Sequence, residues 1–139
     1  MLNLLFVFLG GAIGSVLRYG ISTWFHNISA TFLANVLGCF LFGILTIIIL
    51  KKKKYLPKSL ASMVTTGFCG GLTTFSTFSY EVSRYILNAQ YIIASYYIFL
   101  SLIVGILSVY AGIEFGRILL KLHLENKRAI LHREFLEGK

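Results

Sequence analysis

Aspartate is missing from this chain altogether, and glutamate occurs only five times. Proline appears once and cysteine twice among 139 residues, which excludes collagen, a Pro-rich disordered segment and a disulfide-stapled secreted module. Charge is scarce overall: 13% of residues carry one, against about 25% in ordinary globular domains. What fills the chain instead is apolar, 57% of residues, with a mean hydropathy of +0.80. A soluble domain of this length needs far more polar surface to cover its core. The charge that is present is one-sided, with 13 Lys plus Arg giving a formal net charge of +8.

Apolar runs of about 20 helical residues, at about 1.5 Å each, cross the roughly 30 Å hydrocarbon layer of a membrane. Four such runs are present, at about residues 2–25, 31–50, 58–87 and 91–120, and they predict an all-α membrane protein forming one integral domain over 1–139. The first run carries Arg18, the second no charge, the third Glu81 and Arg84, and the fourth none before Glu114. No basic segment precedes the first run, so it reads as a retained helix rather than a cleaved signal peptide.

Four spans place both termini and the loop between spans two and three on one side. That side holds Lys51, Lys52, Lys53, Lys54, Lys58, Arg117, Lys121, Lys127, Arg128, Arg133 and Lys139, and the other only Arg18 and Arg84. Eleven against two predicts cytoplasmic termini and a basic cytoplasmic tail, 121–139. An anionic leaflet accounts for the lysine run without nucleic acid as a partner. The tail mixes Leu124, Leu131 and Phe135 with both signs of charge, and is expected to prolong span four along the membrane surface. His123 and His132 lack companions for a metal site, and Cys39 and Cys69 read as packing residues.

Gly67-Phe68-Cys69-Gly70-Gly71-Leu72-Thr73-Thr74-Phe75-Ser76-Thr77-Phe78-Ser79 is the most informative stretch. Glycine lowers helix stability by up to about 1 kcal/mol relative to alanine, and a hydroxyl cluster follows these glycines. The run predicts a break at Gly70 and Gly71, and an opened backbone in hydrocarbon must line a cavity or be buried in protein. Such a break points a carbonyl end at cations and an amide end at anions. The plainer alternative is that the glycines only let helices approach closely, a reading that also fits Gly10, Gly11 and Gly14.

Phe75 and Phe78 share a helical face, and the positive edge of an aromatic ring can meet an anion without trapping it. Asn35 is the one amide in the charge-free second span; it either joins helices or donates to a passing solute. Tyr97, Ser101, Gly105 and Ser108 form a polar or small stripe on span four, suited to a hydrogen-bonding track or to a helix interface.

Three motifs together resemble the Fluc/CrcB family of bacterial fluoride channels: Gly10-Gly11-Ala12-Ile13-Gly14 with Arg18-Tyr19, Thr31 to Gly38, and above all the 67–79 segment followed by Glu81. The resemblance covers all four spans. It implies a pair of four-helix subunits packed antiparallel, with two pores near the subunit interface and a structural sodium ion held where the two breaks meet. By motif position, that Na⁺ falls on the backbone carbonyls of Gly70 and Thr73. The pore phenylalanines fall on Phe75 and Phe78, the pore asparagine on Asn35, the vestibule arginine on Arg18, and the polar track on Tyr97, Ser101 and Gly105. Gly105 departs from the serine of some relatives, so that rung would need water or Ser108.

The implied activity is passive export of fluoride from the cytoplasm, not an enzymatic reaction. Fluoride that enters as neutral HF dissociates and is trapped as an anion, and an inside-negative potential drives it out by about 2.3 kcal/mol per 100 mV. The rival is a small proton-coupled multidrug-type exporter, which needs an intramembrane carboxylate; Glu81 and Glu114 are the candidates. The partners implied are fluoride, membrane lipid of the bacterial inner membrane, and a second subunit. Family homodimers insert both ways and need balanced charge, so the eleven-to-two bias implies a chain that inserts mainly one way and pairs with an oppositely biased paralogue.

Overall fold

A computed structural model describes residues 2–25, 28–52 and 56–136. Lys53, Lys54 and Lys139 lie outside the described residues, as do the side chains of Lys52, Lys127, Leu131, His132, Arg133 and Phe135. Every regular element among the described residues is helical: α1 (Leu2–Trp24), α2 (Ile28–Lys52), α3 (Lys58–Ser62), a π-helical segment (Met63–Cys69), α4 (Gly70–Leu72), α5 (Phe75–Leu87) and α6 (Tyr91–Leu136). Three helices are long and apolar enough to cross a membrane, over Asn3–Trp24, Ala30–Lys51 and Tyr91–Asn126. The expected third span is instead α3 through α5, a chain of short pieces.

The interruption is not where the glycines predict it. Gly70 keeps helical angles (φ −66°, ψ −34°), whereas Thr73 (φ −81°, ψ 158°) and Thr74 (φ −146°, ψ 121°) are extended. Glycine propensity is overridden by packing. A Cβ on Gly67 would lie 2.5 Å from the Val7 carbonyl oxygen, and one on Gly71 would run into the Gly11 backbone. These two glycines therefore serve close approach to α1, which presents Gly10 and Gly14 to the same seam. Gly70 differs, since nothing lies within 4 Å of the position its Cβ would take.

The same contacts set the topology. Gly10 meets Met63 and Phe68 while Gly14 meets Phe68 and Leu72, so α1 runs alongside the third segment in the same direction. Gly43 meets Val109 and Ile113 while Gly116 meets Ile44, so α2 and α6 are likewise parallel. Asn35 bonds Thr74 and Thr31 bonds Glu81, which makes α2 antiparallel to the third segment. Asn3, Lys51, Lys58 and Lys121 accordingly share one end of the bundle. Trp24, Leu87 and Tyr91 share the other.

Burial runs opposite to a soluble fold. The buried residues are mostly small, Ala30, Ala34, Thr31, Cys69 and Ala94 among them, whereas Trp24, Leu87 and Ile92 are each about 85% exposed. Large apolar side chains pointing outward along every long helix suit an apolar solvent. The α6 helix runs 46 residues without interruption, so the tail prolongs span four as helix to Leu136. No proline or break marks a bend there.

Candidate functional site

Asn35 organises the break. Its Oδ1 accepts the Thr74 backbone N–H at 2.7 Å, and its Nδ2 donates to the Thr74 carbonyl at 3.2 Å. The side-chain amide thus pairs with both backbone groups of one residue, as a neighbouring strand would, and so joins α2 to the third segment. One Nδ2 hydrogen remains for another acceptor. Thr74, 8% exposed, then acts as N-cap of α5, with its Oγ1 accepting the Thr77 N–H at 3.2 Å. Ser76 and Thr77 hydroxyls lie 3.2 and 3.0 Å from the same oxygen.

On the other side of the break, carbonyls are set free. A continuing helix would give the Thr74 amide to the Gly70 carbonyl and the Thr77 amide to Thr73, but both amides are taken elsewhere. The Gly71 carbonyl accepts from Arg18 Nε at 3.2 Å and from Ser15 Oγ at 3.5 Å. Arg18 therefore sits at the carbonyl end of α4, where a cation is favoured.

Two cavities flank Thr74. A groove of about 410 Å³ is lined by Asn35, Cys39, Thr73, Phe75, Phe78, Ser101 and Gly105, together with the apolar Leu102, Ile106 and Val109. Ser101 Oγ is buried there without a hydrogen-bond partner. The Phe75 and Phe78 rings stand 6.1 Å apart, and Phe75 is 80% exposed. The second cavity, about 260 Å³, is more polar: Ser15, Arg18, Tyr19, Ser22, Thr31 and Thr77 line it, and Thr74 belongs to both walls. The predicted residues are thus divided, with Arg18 in the polar cavity and Asn35, Phe75, Phe78 and Ser101 in the groove.

Tyr97 stands apart from both linings. Its ring packs on Phe78 at 5.1 Å, but its hydroxyl donates to Glu81 Oε2 at 2.8 Å. Thr31 Oγ1 donates to the other oxygen of Glu81 at 2.6 Å. Sequence reasoning gave no role to this Thr31–Glu81–Tyr97 network or to Thr74. Two polar side chains inside apolar runs, Thr31 and Glu81, were the available signal. Glu114 pairs with Arg117. Both carboxylates that a proton-coupled exporter would use are therefore engaged. The stripe on α6 splits, too: Ser101 and Gly105 line the groove and Ser108 does not.

A family model described as CrcB-like protein, Camphor Resistance (CrcB), matches residues 5–113. The chain belongs to the CrcB family. Similar curated proteins include the fluoride-specific ion channel FluC of Oceanobacillus iheyensis, 43% identical over 118 residues, which cover 82% of this chain and 91% of that protein. FluC of Gloeothece citriformis is 40% identical, covering 81% and 95%, and FluC 2 of Bacillus subtilis is 44% identical, covering 80% and 85%. These CrcB relatives are named as ion channels and not as enzymes. With its apolar helices and inverted burial, this CrcB chain is a multi-pass membrane protein.

Proposed function

We propose that this chain is the subunit of a fluoride-selective channel that lowers cytoplasmic fluoride by passive export. The observation that carries the reading is 40 to 44% identity, over about four-fifths of the chain, to proteins named fluoride-specific ion channels. The groove suits that ion: Ser101 Oγ–H and the spare Asn35 Nδ2–H are donors to an anion that has lost part of its hydration, and the Phe75 and Phe78 ring edges supply weaker positive character. Arg18 lines the polar cavity on the other side of Thr74, placing a cation next to the break. No bond to the ion is made or broken in this scheme, and selectivity against larger halides rests on a narrow path.

The working unit in this reading is an antiparallel pair in which α3 through α5 makes the fourth crossing of each subunit. Exposed Phe75 at the groove mouth, and a Gly70 that no residue of its own chain requires to be glycine, are what such a pair would cover. The residues also fit a central sodium ion. Gly70 and Thr73 carbonyls, left without helical partners, are hard oxygen donors of the kind an alkali cation takes, and the ion when bound would neutralise two facing carbonyl ends. The basic end faces the cytoplasm of a bacterial inner membrane, and the second subunit is either another copy or an oppositely oriented paralogue.

Liposomes loaded with fluoride test the proposal. On collapse of the potential with a potassium ionophore, a fluoride electrode should record release, and Phe75→Ile or Phe78→Ile should slow it at least tenfold while leaving assembly intact. Folded protein that releases no fluoride would sink the reading.

A further inference from the structure

The groove beside Asn35 is built in two levels. Asn35 and Cys39 stand four apart on α2, and Ser101 and Gly105 four apart on α6, so about one helical turn separates the levels on either wall. The two helices run parallel, and a Cβ on Gly105 would lie 3.8 Å from Cys39 Sγ, so the second level sets Cys39 against Gly105. The first level holds the spare Asn35 Nδ2 hydrogen and the Ser101 Oγ, which is buried without a partner. A buried hydroxyl left unpaired costs free energy until an acceptor reaches it, so it points to a ligand of the groove.

Packing does not impose the glycine at 105. Where α2 and α6 touch backbone to backbone, a Cβ on Gly43 or Gly112 would meet the other helix at 2.3 and 2.1 Å, whereas 3.8 Å at Gly105 is ordinary contact. A serine would fit there, and without one the α6 wall has no donor at this level. Ser108, the expected substitute, does not line the groove. Thr73 does, but its Oγ1 donates to the Cys69 carbonyl at 2.9 Å. The donor that remains is the half-buried Cys39 S–H on the α2 wall.

We propose, on the channel reading of this groove, that Cys39 is the ion-contacting residue of the second level, its thiol proton taking the place of a hydroxyl on α6. An anion leaving Asn35 and Ser101 then meets a weak donor about 6 Å further along α2. A thiol suits that place because it replaces part of the lost hydration without trapping the ion. Cys69 takes no part: it is buried and does not line the groove.

The test reads initial rates of fluoride release from liposomes holding the full-length protein, normalised to folded protein. Cys39→Ala should slow release about threefold to tenfold, the weight of one modest hydrogen bond. Cys39→Ser should release at least as fast as the unsubstituted chain. Gly105→Ser added to Cys39→Ala should restore release from the opposite wall, a rescue that lost packing on α2 would not give. Unchanged release in Cys39→Ala would overturn the role of Cys39 and leave the channel reading standing. A loss that neither serine reverses would also overturn it, since Cys39 would then act by packing alone. An unsubstituted chain that releases no fluoride would overturn both.

Discussion

Asn35 shows how much one side chain decides in this molecule. Its Oδ1 accepts the Thr74 N–H that the break strips of its helical partner, and its Nδ2 donates to the Thr74 carbonyl. Asn35→Ala leaves the Thr74 N–H buried and unpaired, and should lower stability by about 2 kcal/mol, read as a fall in melting temperature in detergent. Neighbouring glycines separate in the same way. Gly71→Ala forces a methyl into the α1 backbone and should destabilise the chain by about 1 to 3 kcal/mol. Gly70→Ala has open space within its own chain and should leave the fold of a subunit intact. If the proposed pairing covers this position, Gly70→Ala should shift detergent-solubilised protein from dimer to monomer, as measured by light scattering. A pair that persists would place Gly70 outside the interface. The polar residues were visible in the sequence as anomalies in apolar spans, but which of them bond one another was not.

Among the elements, the third segment departs furthest from regular helix. Its length and glycine content correctly signalled an interruption, and misplaced it by about three residues. The reason is that propensity acts locally while the break is held by remote groups: Asn35 on α2, and Ser15 and Arg18 on α1. Nothing local announces the π-helical turns before it. Thr74 carries the restart of helix in α5, so Thr74→Val should cost about 1 kcal/mol of stability through loss of the N-cap, measurable by thermal unfolding. Thr74→Ser, which keeps the acceptor, should restore most of it. The α6 helix was legible as a span but not in its full extent. Past the expected end of the span, mixed charge and leucine read as a prolongation along the membrane surface, and the structure carries it on as the same helix to Leu136.

At the scale of the whole molecule, charge and burial tell a consistent story. Cations from α2, α3 and α6 converge on one end of the bundle, so the eleven-to-two asymmetry in sequence is an asymmetry in space for the described residues. A chain so biased is expected to insert in one orientation. Single cysteines introduced near Asn88 in a background lacking Cys39 and Cys69 should react with an impermeant maleimide from the outside only. Equal labelling from both sides would remove the need for an oppositely oriented paralogue and favour pairing of identical chains.

Composition alone determined that this chain belongs in a membrane, because no arrangement of 57% apolar residues with so few charges covers itself against water. The lengths of the apolar runs placed the three long helices, since a roughly 30 Å apolar layer tolerates only helices of a given length. The tertiary structure decided where the broken segment opens, which carbonyls it frees, and that Tyr97 and Thr31 answer to Glu81. Those outcomes depend on hydrogen bonds between residues 16 to 56 positions apart or on steric contact between glycines, and neither is encoded in a local window of sequence.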